Sequence, residues 1–189
     1  MGSNLFVGLV HHPVYDKQKE VVAAAVTNFD IHDIARCART YGLGGFYVIT
    51  PLESQVQLTE RIIRHWVEGV GSSYNPTRKE SLSLVRVTRS IDETDQELTC
   101  LWRIKARRIA TGASPHPGSI GFEPLRKLIE DRETPFLILF GTGWGLTQEV
   151  KDSSDYVLAP IEGKGYNHLS VRSAVAIILD RLVGERTEE

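Results

Sequence analysis

The stretch from Pro135 to Leu182 constrains the fold of this chain most strongly. It contains two short apolar runs, Pro135-Phe-Leu-Ile-Leu-Phe140 and Tyr156-Val-Leu-Ala-Pro-Ile161. Each run leads into a loop that carries glycines, at residues 141–146 and 162–168. Apolar runs of about six residues bounded by turn residues are typical of buried parallel strands. Because ligands of open α/β sheets bind at the carboxyl ends of strands, we expect a ligand site at these two loops.

The last part of this stretch predicts a helix that is apolar on nearly all sides. Its apolar residues are Leu169, Val171, Val175, Ile177, Ile178 and Leu182. Such a helix has to be covered on several sides. In a chain of 189 residues, a partner subunit is an economical cover. The sequence therefore favours a homodimer.

Predicted strands and helices alternate along the rest of the chain. We expect strands at 5–10, 46–50, 82–87 and 108–111, and helices at 31–41, 53–68, 92–102 and 123–131. Asp30 is expected to cap the first of these helices, and residues 72–81 are expected to form a loop. This alternation predicts an α/β fold with a mainly parallel six-stranded sheet flanked by helices. We expect a single domain over residues 1–184 and a frayed tail at 185–189.

Charge and cysteine content limit the classes of function. The net charge of −2 gives no general attraction to nucleic acid, so an RNA partner requires a local basic patch. Two cysteines, Cys37 and Cys100, fit a reduced compartment better than a disulfide framework. Since no segment is long enough to span a membrane, we expect a cytoplasmic protein. The histidines lack the spacing of a metal site, and we expect no metal.

Two groups of basic residues each allow two interpretations. His32, Arg36 and Arg39 share one face of the first helix, which is either simply solvated or contacts phosphate or an acid–base centre. The second group is either an RNA-facing patch or is balanced by Glu93, Asp95 and Glu97. It comprises Arg78, Lys79, Arg86, Arg89, Arg103, Lys105, Arg107 and Arg108. The glycine loop after Phe140 is likewise either a ligand loop or a tight turn.

Three segments of the chain carry a resemblance to a known superfamily. They are Asp30-Ile-His-Asp-Ile-Ala-Arg36 leading into Gly45-Phe-Tyr-Val-Ile49, Leu137-Ile-Leu-Phe-Gly-Thr-Gly-Trp-Gly-Leu146, and Ala159-Pro-Ile161 with Asn167-His-Leu-Ser-Val-Arg-Ser-Ala174. In this order and strand context they resemble the motifs of the SPOUT superfamily of S-adenosylmethionine-dependent RNA methyltransferases. The chain is most similar to a bacterial group likened to the tRNA guanine-N1 methyltransferase.

The resemblance implies a fold, a cofactor and a set of site residues. The fold would be an α/β domain with a deep C-terminal trefoil knot, acting as a homodimer on tRNA or rRNA. S-adenosyl-L-methionine would be bound by Thr111, Gly141, Thr142, Gly143, Ile161, Asn167, His168 and Leu169. Arg36, with Asp33 or His32, would lie on the acceptor side across the dimer interface.

Two departures from the superfamily pattern bear on the reaction. The ribose 2′-O-methylating branch carries asparagine where this chain has Asp30, and glutamate where it has Thr142-Gly143. The resemblance therefore favours methylation of a base over methylation of a ribose. The alternative is a non-catalytic module that binds S-adenosylmethionine or RNA.

Overall fold

The computed structural model describes residues 3–185 and contains one large sheet. Its strands are β1 Leu5–Val10, β4 Gly45–Ile49, β5 Val85–Thr88, β6 Arg107–Ala110, β7 Phe136–Gly141 and β8 Tyr156–Val157. The strand order is β5-β4-β1-β7-β6-β8, and every neighbouring pair is parallel. A short antiparallel hairpin, β2 Val14–Tyr15 and β3 Val21–Val22, follows β1. The predicted mainly parallel six-stranded sheet is confirmed.

Helices cover both faces of the sheet. They are α1 Asn28–Thr40, α2 Glu53–Val67, α3 Val70–Tyr74, α4 Pro76–Leu82, α5 Ile91–Trp102, α6 Phe122–Ile129, α7 Gln148–Asp152 and α8 Val171–Val183. Helices α1, α6 and α8 contribute to the core on one face, and α5 and α7 contribute to the core on the other. Alternate residues of β1 enter these two cores, because successive side chains of a strand point to opposite faces.

The start of α1 differs from the prediction. Thr27, and not Asp30, is the N-cap, and its hydroxyl oxygen accepts a hydrogen bond from the backbone N–H of Asp30 at 3.3 Å. Asp30 lies inside the first turn, where a carboxylate interacts favourably with the positive end of the helix. The helix therefore begins three residues earlier, and Asp30 is buried beside the carboxyl end of β1.

Residues 72–81 also differ from the prediction, since all of them except Asn75 lie in α3 and α4 rather than in a loop. Asn75 caps α4 by accepting a hydrogen bond from the backbone N–H of Arg78 at 3.0 Å, and Pro76 occupies the first helical position. Helices of five and seven residues are too short for a hydrophobic period to be read from the sequence. Because α4 extends to Leu82, β5 starts at Val85 rather than at residue 82.

The apolar helix α8 is largely covered within the chain. Val175, Ile178 and Leu182 are buried among residues of α1, α6 and β7, whereas Leu169 precedes the helix and is 41% exposed. The apolar character of α8 therefore does not by itself require a partner subunit. None of the described helices has the length and apolar content needed to cross a membrane. Residues 186–189 of the predicted tail lie outside the described residues.

Candidate functional site

Two loops leave the sheet side by side, at the carboxyl ends of β6 and β7. The backbone N–H and the hydroxyl of Thr111 both donate to the carbonyl oxygen of Leu139, at 3.1 and 2.9 Å. The corresponding groups of Thr142 donate to the carbonyl oxygen of Val10, at 3.1 and 2.9 Å. Both threonines therefore fasten the first residue of a loop to the neighbouring strand, and their hydroxyl hydrogens are used within the protein.

The β2–β3 hairpin determines the shape of the loop after β7. The backbone N–H of Trp144 donates to the carbonyl oxygen of Tyr15 at 2.9 Å. The backbone N–H of Tyr15 donates in return to the carbonyl oxygen of Gly145, also at 2.9 Å. Gly143 has a φ of +58°, and a Cβ on it would lie 2.9 Å from the Tyr15 carbonyl oxygen. A Cβ on Gly141 would collide with the backbone of Gly145 and Leu146. These two glycines are therefore required by a tight turn packed on the hairpin, and the indole of Trp144 is left 64% exposed.

The loop after β6 crosses over β8. It leaves β6 at Ala110, where Leu158 donates its N–H to the Ala110 carbonyl oxygen at 2.9 Å. On the other side of the segment 157–159, the loop ends at Ile120, whose backbone N–H donates to the carbonyl oxygen of Val157 at 2.8 Å. Residues 157–159 are consequently held between β6 and Ile120, and the loop 111–119 spans the carboxyl end of β8.

The polar turn after β8 is tied to this crossing loop. The side-chain amide of Asn167 donates to the carbonyl oxygen of Ala113 at 2.6 Å. Ile161 is half-buried against the core, whereas His168 and Leu169 are exposed. Most of the predicted cofactor residues therefore lie at one edge of three adjacent strands, namely Thr111, residues 141–143, Ile161 and Asn167. His168 and Leu169 directly follow Asn167 in the sequence and so lie next to this edge.

Unused backbone groups at this edge fit a nucleoside-containing cofactor. Within residues 3–185, the backbone N–H groups of residues 112–114 and 161–167 donate no hydrogen bond to another part of the chain. Exposed backbone donors and carbonyls in glycine-rich loops match the donors and acceptors on the edge of a purine. The residues present therefore suit S-adenosylmethionine.

The three predicted acceptor-side residues point to two sides of α1. Asp33 faces α8, where its carboxylate lies 3.5 Å from Nε of Arg172. His32 faces α2, where its ring packs edge-on against Trp66 with a centroid separation of 5.5 Å. Arg36 is exposed and lines a groove beside α4. Within a single chain, these residues therefore do not form one compact centre.

The environment of His32 favours the neutral imidazole. Partial burial lowers the pKa of His32, and the positive charges of Arg78 and Arg36 lower it further, while Asp33 acts in the opposite direction. In the described part of the chain, its Nδ1 atom is buried without a hydrogen-bond partner. A neutral histidine can accept a proton, but this nitrogen is shielded from solvent.

Several arginines of the second basic group are paired with acidic residues. At those positions, this favours the interpretation that acidic residues balance the positive charge. Arg108 is bound by Asp95 and Asp92, at 2.6 and 2.5 Å. Similarly, Arg107 pairs with Asp155 at 2.6 Å, and Arg89 pairs with Glu53 at 2.7 Å. Of the three acids proposed as partners, only Asp95 pairs with an arginine side chain within residues 3–185, while Glu93 accepts a hydrogen bond from the backbone of Arg89.

Several residues at this edge were not singled out from the sequence. Arg172, at the start of α8, contacts Asp30 at 3.3 Å as well as Asp33, and so ties α8 to α1. The hydroxyl of Tyr15 accepts from the N–H of Gln148 at 3.1 Å, which fixes the start of α7 to the hairpin. No local pattern reveals these contacts, because their partners lie more than 130 residues apart in the chain.

A polar cluster also joins the crossing loop to α7. The side-chain amide of Gln148 lies 3.2 Å from Nε2 of His116 and donates to Asp152 at 2.7 Å. His116 itself lies 3.5 Å from the Asp152 carboxylate. The loop after β6 and the segment after β7 therefore hold each other in place.

Comparison with known proteins gives one family. The model of a family described as SAM-dependent RNA methyltransferase matches residues 4–184. A tRNA (guanine-N(1)-)-methyltransferase of Oleidesulfovibrio alaskensis is 45% identical over 97% of this chain, which spans 43% of that relative's length. An uncharacterized protein of Aquifex aeolicus is 39% identical over 96% of this chain and 89% of its own length.

A solved structure supports the fold. The SpoU methyltransferase AviRb of Streptomyces viridochromogenes, in complex with AdoMet, superposes with a TM-score of 0.58 at 17% identity. The superposition covers 94% of this chain and 56% of AviRb. At this identity the likeness concerns the fold, and the family assignment rests on the sequence match over residues 4–184. The chain, whose resemblance to RNA methyltransferases is thereby confirmed, belongs to the family of SAM-dependent RNA methyltransferases.

Proposed function

We propose that this protein transfers a methyl group from S-adenosylmethionine to RNA. The observation that carries the proposal is the convergence of three loops at the carboxyl ends of β7, β6 and β8, where the loops after β6 and β8 have backbone N–H groups that donate no hydrogen bond within the described chain. This is the edge at which ligands of parallel α/β sheets bind. Family membership over residues 4–184 supports the same reaction.

The cofactor would be held by the predicted set of residues. Gly141 and Gly143 allow the β7 loop its tight turn, and Thr111 and Thr142 anchor the two loops. Residues 161–169 close the site, with Asn167 fixed to Ala113. When bound, the cofactor supplies an electrophilic methyl group, so the protein has to position the acceptor and remove its proton.

On the acceptor side, we propose Arg36 as the residue that orients the RNA. It is exposed, and among the described residues no carboxylate forms an ion pair with it. Asp33 and His32 are the candidate proton acceptors on the same helix. Asp33 is held by Arg172, and His32 lies against Trp66. Either residue would therefore accept a proton only after its side chain moves, or at a site completed by a partner subunit.

We infer that a base, rather than a ribose hydroxyl, is the acceptor. Asp30 is committed to Thr27 and Arg172, and the hydroxyl of Thr142 is committed to Val10. Neither position therefore offers the free polar group of the ribose-methylating pattern. The name of the Oleidesulfovibrio relative, which specifies a guanine of tRNA, supports tRNA as the first RNA to test, with rRNA as the second.

We further propose that residues 1–184 form a single domain that is knotted and dimeric. The loop 111–119 runs from one side of residues 157–159 to the other, so the chain after Ala159 passes either through it or around it. Passage through the loop would produce a trefoil knot. Exposed Phe29 and Leu169 flank the starts of α1 and α8 and would suit a subunit interface. Such a dimer would work in the cytoplasm, where its RNA is found.

A direct assay tests the proposed activity. Purified protein is incubated with labelled S-adenosylmethionine and bulk tRNA or rRNA that lacks modification, and the RNA is digested to nucleosides for mass spectrometry. We expect one methylated base to accumulate. If calorimetry shows cofactor binding but no RNA gains a methyl group, the alternative of a non-catalytic binding module replaces the enzyme.

A further inference from the structure

A groove between α1 and α4 is strongly cationic. It has a volume of about 270 Å³, and its lining includes Arg36, Arg39, Arg78, Glu80, Asn75 and Thr77. Three guanidinium groups face one carboxylate, which gives this lining a net charge of +2. The whole chain has a net charge of −2, so the groove differs in sign from the protein as a whole.

The three arginines are held in different ways. Arg39 donates from Nε to Glu80 at 2.8 Å, which neutralises one positive charge of the groove. The guanidinium of Arg78 lies over the ring of Trp66, 4.5 Å from its centroid, and this contact fixes its position without neutralising it. Arg36 forms no ion pair with any residue that the structure describes. Two guanidinium groups are therefore available to a ligand.

The positive charges of the groove also act on the neighbouring His32. Arg78 and Arg36 both lower the pKa of His32, in addition to the larger effect of its burial. Asn75 and Thr77 add neutral polar groups at the rim of the groove. A set of fixed guanidinium groups with polar neighbours is suited to phosphate, because guanidinium presents paired N–H donors to phosphate oxygens.

The groove is separate from the candidate cofactor site of the same chain. Arg36 lies eight residues after the start of α1, which corresponds to about 12 Å along the helix away from the carboxyl edge of the sheet. Helix α4 leads into the amino end of β5. A phosphate in the groove therefore does not approach the cofactor site of the same chain, and in the proposed dimer it would flank the acceptor nucleotide that Arg36 orients.

We propose that the groove binds backbone phosphates that flank the methylated nucleotide of the RNA substrate, an inference that rests on the proposed function. Arg78 and Arg36 contact the phosphates, and Arg39 joins them when Glu80 is displaced. The groove thereby fixes the register of the RNA on the protein, since phosphate contacts position a nucleic acid and base contacts specify it.

The number of phosphate contacts can be measured from the salt dependence of RNA binding. Affinity for labelled bulk tRNA is measured over a series of salt concentrations for the wild type, Arg78→Gln and Glu80→Gln. For Arg78→Gln, we expect the slope of log K against log salt to fall by about 0.7 to 0.9, the value for one lost phosphate contact. For Glu80→Gln, which removes the one carboxylate among the described residues that line the groove, we expect tighter binding and a steeper slope.

Arg132→Gln is the matched control, because it removes the same charge from an exposed position before β7. We expect its slope to equal that of the wild type. Cofactor affinity, measured by calorimetry, should be unchanged in all the variants, which shows that they are folded. If the wild type methylates RNA but Arg78→Gln and Arg132→Gln have equal slopes, phosphate binding in the groove is refuted and the proposed function is left intact. A wild type that transfers no methyl group to any RNA would instead refute the proposed function.

Discussion

His11 is a buried ionisable group whose effect on stability can be worked out from the structure. It follows β1 at the centre of the sheet, its side chain is fully buried, and in the described part of the chain neither ring nitrogen has a hydrogen-bond partner. Burial lowers the pKa of His11 from 6.5 to about 4, although the nearby Asp30 carboxylate, which itself contacts Arg172, opposes this change. The folded protein therefore keeps His11 neutral.

This difference in pKa makes folding depend on pH. Between pH 6.5 and about 4, the unfolded chain binds a proton at His11 that the folded chain does not bind, so stability is lost as the pH falls through this range. The full shift of ~2.5 units corresponds to ~3.4 kcal/mol of unfolding free energy. At about pH 5, the folded protein has lost about 2 kcal/mol of its unfolding free energy through His11, while most carboxylates are still ionised.

The variant His11→Leu separates the contribution of this side chain from that of other groups. Leucine has a similar size and needs no hydrogen-bond partner, so we expect its unfolding free energy at about pH 7.5 to lie within about 1 kcal/mol of the wild type. Urea denaturation at about pH 7.5 and about pH 5 measures both proteins. The wild type should lose about 2 kcal/mol more than the variant over this interval. Parallel losses in the two proteins would refute the reasoning, since they would show that His11 does not stay neutral in the fold.

Three further predictions concern the site. Gly143→Val should abolish cofactor binding in calorimetry, because a branched side chain at positive φ would collide with Tyr15 and displace the loop after β7; unchanged affinity would count against the pocket assignment. Arg36→Ala should retain cofactor binding and lose methyl transfer, and retained transfer would remove Arg36 from the acceptor side. Asn167→Ala should weaken cofactor binding while leaving the urea midpoint nearly unchanged, because its bond to Ala113 joins two exposed loops; an affinity equal to that of the wild type would show that this bond does not shape the site.

Cofactor loops and acceptor-side residues differ in how much the sequence could reveal. The loops after β7 and β8 were predictable, because buried strands and glycine turns are local patterns and parallel strands end at a common edge. The reason for Gly143 was not predictable: the sequence left open whether it serves a ligand loop or a tight turn, whereas the structure shows the Tyr15 carbonyl oxygen against the position that a Cβ on Gly143 would occupy.

The sequence by itself determined the alternation of strands and helices, the class of fold and the family motifs, since hydrophobic period and turn residues act over a few neighbours. Only the tertiary structure decided which charges are free. Arg107 and Arg108 are neutralised by acids on other elements, whereas Arg36 and Arg78 meet in a groove formed by α1 and the short helix α4. Ion pairing depends on distances of a few ångströms between residues that are far apart in the chain, and no local pattern encodes those distances.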